Sequence, residues 1–206
     1  MTIEDVQVVI TRETTPVTQA GFGLPLIVGA KGTTDYDDLG YCICNTLADV
    51  AALVPAEEDD PGTAGTGVYK IAQKIFAQTP APEKIAVVWL NMTTPETLVA
   101  GLTALMAAGH NDWYFLLSES QTAANVDALA AFAAANDKLY FGSMTNTVLG
   151  TLDDTTLALD RAVILCHKNA ATQYPAEAWV GRCAPELPGS ITWKFKTLSG
   201  ISVSGY

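Results

Sequence analysis

Basic side chains are scarce in this 206-residue chain: 11 Lys and Arg stand against 22 Asp and Glu, a formal charge of −11. So acidic a surface repels phosphate backbones, which excludes direct nucleic-acid binding over most of it. Charge of either sign is thin at 16% of residues, whereas 49% are apolar. The chain is therefore globular, and much of its surface is expected to be covered by neighbouring subunits. Cysteine occurs four times, at Cys42, Cys44, Cys166 and Cys183, too few for a disulfide scaffold in a chain of this length. No apolar run approaches the roughly 18 residues that span a bilayer. The first residues, Met1 to Gln7, have neither the basic flank nor the apolar core of a secretory signal. A protein made and kept in a cytoplasm, without membrane insertion, is the expectation.

Catalytic and cofactor motifs are missing as well. The first βα turn, Gly29-Ala30-Lys31-Gly32-Thr33, places its lysine before the last glycine, the reverse of a P-loop. It also has two of the three glycines of a dinucleotide fingerprint. Gly62, Gly65 and Gly67 follow an acidic loop, a poor place for phosphate. Asp35, Asp37 and Asp38 suggest a calcium loop, but Leu39 takes its fifth position and Thr46 the twelfth, where a bidentate glutamate is required. No Gly-x-Ser-x-Gly elbow is present. His110 and His167 fall at the ends of a helix and a strand, so both can reach one edge of the sheet, but no nucleophile pairs with them. Cys42 and Cys44 have one residue between them, too few for a zinc knuckle, and read as buried apolar thiols. No catalytic, cofactor or metal residues are expected.

What the chain does contain is an alternation of apolar runs and amphipathic segments. Val6, Gln7, Val8, Val9, Ile10 and Thr11 read as a strand-like arm, stopped at Thr15-Pro16. Leu24–Gly29 is the first core strand. Asn45 caps a helix to about Val54, an acidic loop follows from Pro55 to Thr66, and Gly67–Ala77 returns to helix. Lys84–Leu90, Trp113–Leu117, Leu139–Gly142 and Arg161–Cys166 are strands. Thr94 caps a helix with Pro95 at its first position and Gly109 as its stop; Thr122–Asn136 and Asp153–Asp160 are further helices. The final stretch, Trp179–Tyr206, reads as strand-like with two tryptophans. Near-continuous apolar strands between helices imply an α/β fold, a mainly parallel sheet with helices on both faces, plus the extended N-terminal β-arm. The division expected is an arm over residues 1–18 and an α/β domain over 19–206.

Four stretches resemble the tail sheath proteins of contractile phages and tailocins: Ile10–Gly29, Asp112–Leu117, Ala135–Phe141 and Ala178–Leu198, the last containing Gly-Ser-Ile-Thr-Trp-Lys-Phe-Lys. They occur in the family's order across nearly the whole chain. The resemblance implies a structural virion protein without enzymatic activity, stacked as hexameric rings around a tail tube and joined to a baseplate. It further implies arms that add strands to sheets of neighbouring subunits, which makes Val6–Thr11 the candidate inter-subunit arm. Proteins of that family continue past the Gly-Ser-Ile-Thr-Trp segment into a C-terminal domain, so this chain is expected to represent the N-terminal and central portion. The competing expectation is an α/β enzyme that binds a nucleotide or cofactor.

Overall fold

A computed structural model describes residues 23–30, 40–53, 66–153, 156, 158–186 and 192–202. The candidate arm Val6–Thr11, the Asp35–Asp38 run, Lys31, Gly32 and the acidic loop through Gly65 lie outside the described residues.

Six strands form one sheet: β1 (Pro25–Ala30), β2 (Cys42–Cys44), β3 (Ile85–Leu90), β4 (Phe115–Ser118), β5 (Leu139–Met144) and β6 (Ala162–Cys166). Their spatial order is β2-β3-β1-β4-β5-β6. Every pairing is parallel except β2 on β3, where the short edge strand runs antiparallel. Seven helices are described: α1 (Leu47–Leu53), α2 (Thr66–Phe76), α3 (Pro95–Ala107), α4 (Ala123–Ala135), α5 (Asn146–Leu149), α6 (Ala170–Gln173) and α7 (Pro175–Cys183).

The topology explains why the strands are apolar on both sides. From β1 the chain crosses outward to β3, and from β3 it crosses back over β1 to β4. Right-handed crossovers in opposite directions deposit their helices on opposite faces. Accordingly Leu26, Val28, Ala86 and Val88 pack under Leu98, Leu102 and Leu105 of α3 and Val126 and Leu129 of α4. Ile27, Val87 and Trp89 point the other way, against Val68, Ile71 and Ile75 of α2 and Val180 of α7. The mainly parallel α/β sandwich expected from the run pattern is the fold observed.

Local chemistry sets the helix ends. Thr94 is the N-cap of α3, with reciprocal hydrogen bonds to Thr97, Pro95 at the first turn and Ala108 as C-cap; Gly109 follows at φ 93°. For α1 the cap is Thr46 rather than Asn45. The Asp49 N–H donates to Thr46 Oγ1 at 3.2 Å, while Asp49 Oδ2 accepts the Thr46 N–H at 2.9 Å, a capping box one residue later than expected. β4 begins at Phe115, so Trp113 and Tyr114 precede it; the Trp113 indole N–H donates to the His110 carbonyl at 3.0 Å in that segment. In the Asp153–Asp160 segment, Thr156 is helical, and residues 154, 155 and 157 lie outside the described set.

The largest correction concerns Trp179–Tyr206. Trp179 to Cys183 belongs to α7, which starts with Pro175 at its first turn. Residues 192–202 contain no strand. They form an irregular tail that lies on the helices, held by side chains instead of a β ladder.

Candidate functional site

In a doubly wound sheet, ligands settle outside the carboxyl ends of the strands where the winding direction reverses. Here that place is between β1 and β4, and a protein side chain fills it. Glu119 follows β4 directly. Its carboxylate accepts the N–H of Ala30 at the end of β1, and the N–H of Val68 in the first turn of α2 at 3.2 Å. The Gly67 N–H also serves it. The Gly67 and Val68 N–H groups are unpaired donors of a helix N-terminus, the kind of group that holds phosphate in nucleotide-binding proteins of this architecture. Burial pushes the Glu119 carboxyl up, and the three N–H donors at Ala30, Val68 and Gly67 pull it back down. Only glycine fits at 67, since a Cβ there would stand 2.5 Å from Glu119 Cβ. The crevice thus carries its own anion.

Next to it lies a second acidic group. Glu177, in the first turn of α7, is fully buried. Ser143 Oγ of β5 donates to its Oε2 and accepts the Ala176 N–H at 2.9 Å. The other oxygen, Oε1, has no hydrogen-bond partner. Burial raises this carboxyl to about 7, against the hydrogen bond from Ser143. Tyr174 bridges the two acids electrostatically: burial raises its phenol first, then the charges of Glu177 and Glu119. A carboxyl so sealed has no path to a substrate, so it acts on the stability of the fold.

On the same side of the sheet lies the tail. Trp193 stacks on Phe141 with centroids 5.4 Å apart, and meets Phe115 at 5.8 Å and Trp179 edge-on at 5.5 Å. The Trp179 indole N–H donates to the Trp193 carbonyl at 2.9 Å. Further along, Gln78 binds both backbone groups of Ser199, each at 3.0 Å. Lys74 Nζ donates to the Gly200 carbonyl at 2.6 Å. The Gln173 amide oxygen accepts the Ser202 N–H at 2.8 Å. Side chains of α2, α6 and α7 thus replace the partner strand that this segment lacks.

The two histidines do not share an edge, contrary to the reading from their positions. His110 lies before β4, at the amino edge, where it stacks on Tyr41 at 4.2 Å. His167 follows β6 at the carboxyl edge. Its Nδ1 accepts the Asn169 N–H at 3.0 Å, so its Nε2 carries the proton donated to the Ser202 carbonyl, also at 3.0 Å. Parallel strands separate these edges, since one residue precedes a strand and the other ends one. Cys42 and Cys44 do share a strand side, with Cys44 buried and Ile43 turned outward. Burial raises the Cys44 thiol to about 11, helped by Cys42 and Asp49, which makes it an inert thiol. Among the described residues no group of three or more His, Cys, Asp or Glu could hold a metal ion. No described helix is long and apolar enough to cross a membrane.

Glu119 and Glu177 were not singled out by sequence. The available signal for Glu119 was its place: an acid one residue beyond an apolar core strand sits at the carboxyl edge of a parallel sheet. For Glu177 no such signal exists, because Pro-Ala-Glu-Ala reads as an ordinary solvated helix start. No protein-family model matches the chain, and no curated protein matches it.

Proposed function

We propose that this chain is a structural subunit of a contractile tail sheath, without enzymatic activity of its own. It assembles with copies of itself as stacked rings around a tail tube, in a virion tail or tailocin made in the bacterial cytoplasm. Tube protein and baseplate are its other partners. The observation that carries the reading is the ordered set of sheath-like stretches from Ile10 to Leu198. Its support in the fold is the Glu119 plug: the place where this architecture would take a nucleotide already holds a carboxylate. With that crevice filled, contraction draws its energy from a difference in subunit packing between two assembled states, not from nucleotide hydrolysis.

Negative-stain electron microscopy of the protein purified with tube protein tests the reading. Helical tubes that contract without ATP are expected. Monomers under every condition, or contraction that stops when ATP is removed, would overturn it. The competing reading, an α/β enzyme that binds a nucleotide or cofactor, requires a saturable thermal shift with such a ligand; a flat response across a nucleotide panel is expected instead.

A further inference from the structure

Phe195 is 99% exposed, while most large apolar side chains of the described residues are buried. Its backbone sits at φ 57°, a left-handed conformation that is strained for a bulky L-residue. A surface turn with no other duty would place glycine or asparagine there. Nor is the turn loosely attached. Two residues earlier, Trp193 is held in the aromatic cluster and by the Trp179 indole; four residues later, Ser199 is clamped by Gln78. The ring therefore projects from a base fixed on both sides. Exposed Lys194 and half-exposed Lys196 flank it, a basic tip on a molecule with twice as many acidic as basic groups.

We propose that the Lys194-Phe195-Lys196 tip is a docking knob for a second copy of this chain, its ring lying against Ile43 on the β2 edge. The inference rests on the self-assembly reading above and names a contact for it. Ile43, 41% exposed, is the other large apolar side chain left outside among the described residues. Acidic groups follow close in the chain and its contacts: Asp49 accepts the backbone N–H groups of Asn45 and Thr46 just beyond β2. Tyr41, on the same strand side as Ile43, donates to Asp112 at 3.2 Å. An apolar contact with groups of opposite charge on its two sides is a pattern of specific protein interfaces. Knob and socket cannot meet within one molecule. Trp193 packs on the sheet face that holds Cys44, and Ile43 points to the opposite side of β2. Two different patches make a head-to-tail contact, which propagates into rings or helical arrays.

Sedimentation velocity on the 206-residue chain over a concentration series tests this. Phe195→Gly is the decisive variant, because glycine accepts the left-handed backbone. Its thermal midpoint is expected to equal or exceed that of the parent, while its self-association weakens about tenfold or more, as for an aromatic anchor. Ile43→Ser is expected to weaken association similarly. A mixture of the two variants keeps one intact knob and one intact socket, so it is expected to form dimers and stop there. Parent-like association of Phe195→Gly, a mixture that stays monomeric, or a parent chain monomeric at its highest soluble concentration would each overturn the contact. Tubes that form and survive Phe195→Gly would remove the contact and leave the sheath reading standing. Phe195-dependent association without tubes would do the reverse.

Discussion

A single buried carboxyl makes the fold sensitive to pH. Glu177 is sealed beneath α7 with one oxygen on Ser143 and the other unpaired, and its carboxyl is raised from 4.5 to about 7. The native state therefore keeps a proton that the unfolded chain releases above its ordinary value. Stability from this group is fully present below about pH 4.5, declines as pH rises, and is lost above about pH 7, a total of about 3 kcal/mol. Glu177→Gln keeps an acceptor for Ser143 and removes the charge. It is expected to stabilise the chain by about 2–3 kcal/mol at pH 8 and to make little difference near pH 4. Urea unfolding at the two pH values checks this; a gap of the same size at both would show that charge is not the cause. The sequence gives no hint of this burden, since burial belongs to the packing of α7 on β5 and not to the residues around Glu177.

Between elements, α7 comes close to the backbone of α2. A Cβ on Gly181 would stand 2.7 Å from Ile75 Cα and 2.8 Å from its carbonyl oxygen. These are backbone atoms, so no rotamer change can make room. Gly181→Ala would gain up to about 1 kcal/mol of helix propensity, but the overpacking is expected to exceed it and give a net loss of about 1–3 kcal/mol. A lowered urea midpoint with unchanged slope is the readout; a raised midpoint would mean that the helices are free to separate. The same pairing explains why Trp179–Cys183 is helical where the sequence pattern reads as a strand. Trp-Val-Gly-Arg-Cys is a short run rich in aromatic and β-branched residues, for which local pattern cannot separate strand from helix. Pro175 at the first turn and the α2 groove decide for helix. The capped α3 was legible because Thr94-Pro95 and Gly109 state both of its ends within the segment itself.

At the scale of the whole molecule, Glu119 ties β1, β4 and the start of α2 together across the winding reversal. Glu119→Ala would leave those N–H groups without their acceptor, with an expected loss of at least about 2 kcal/mol of stability. Added phosphate is expected to recover part of it by occupying the emptied anion site. Chemical unfolding with and without phosphate measures both effects, and a variant as stable as the parent would show the carboxylate to be a bystander. By itself, the sequence determined the α/β class, the five parallel strands, helices α1 to α4 and the ends of α3, while α5, α6 and α7 went unread. What it determined follows from apolar periodicity and capping residues within a dozen positions. Only the tertiary structure decided that Glu119 plugs the crevice, that Glu177 is buried, that the histidines lie at opposite edges and that the tail rides on α2 with Phe195 outward. Those outcomes depend on partners 51, 89 and 121 residues apart in the chain. No local pattern carries such pairings, because the order of strands in the sheet creates them.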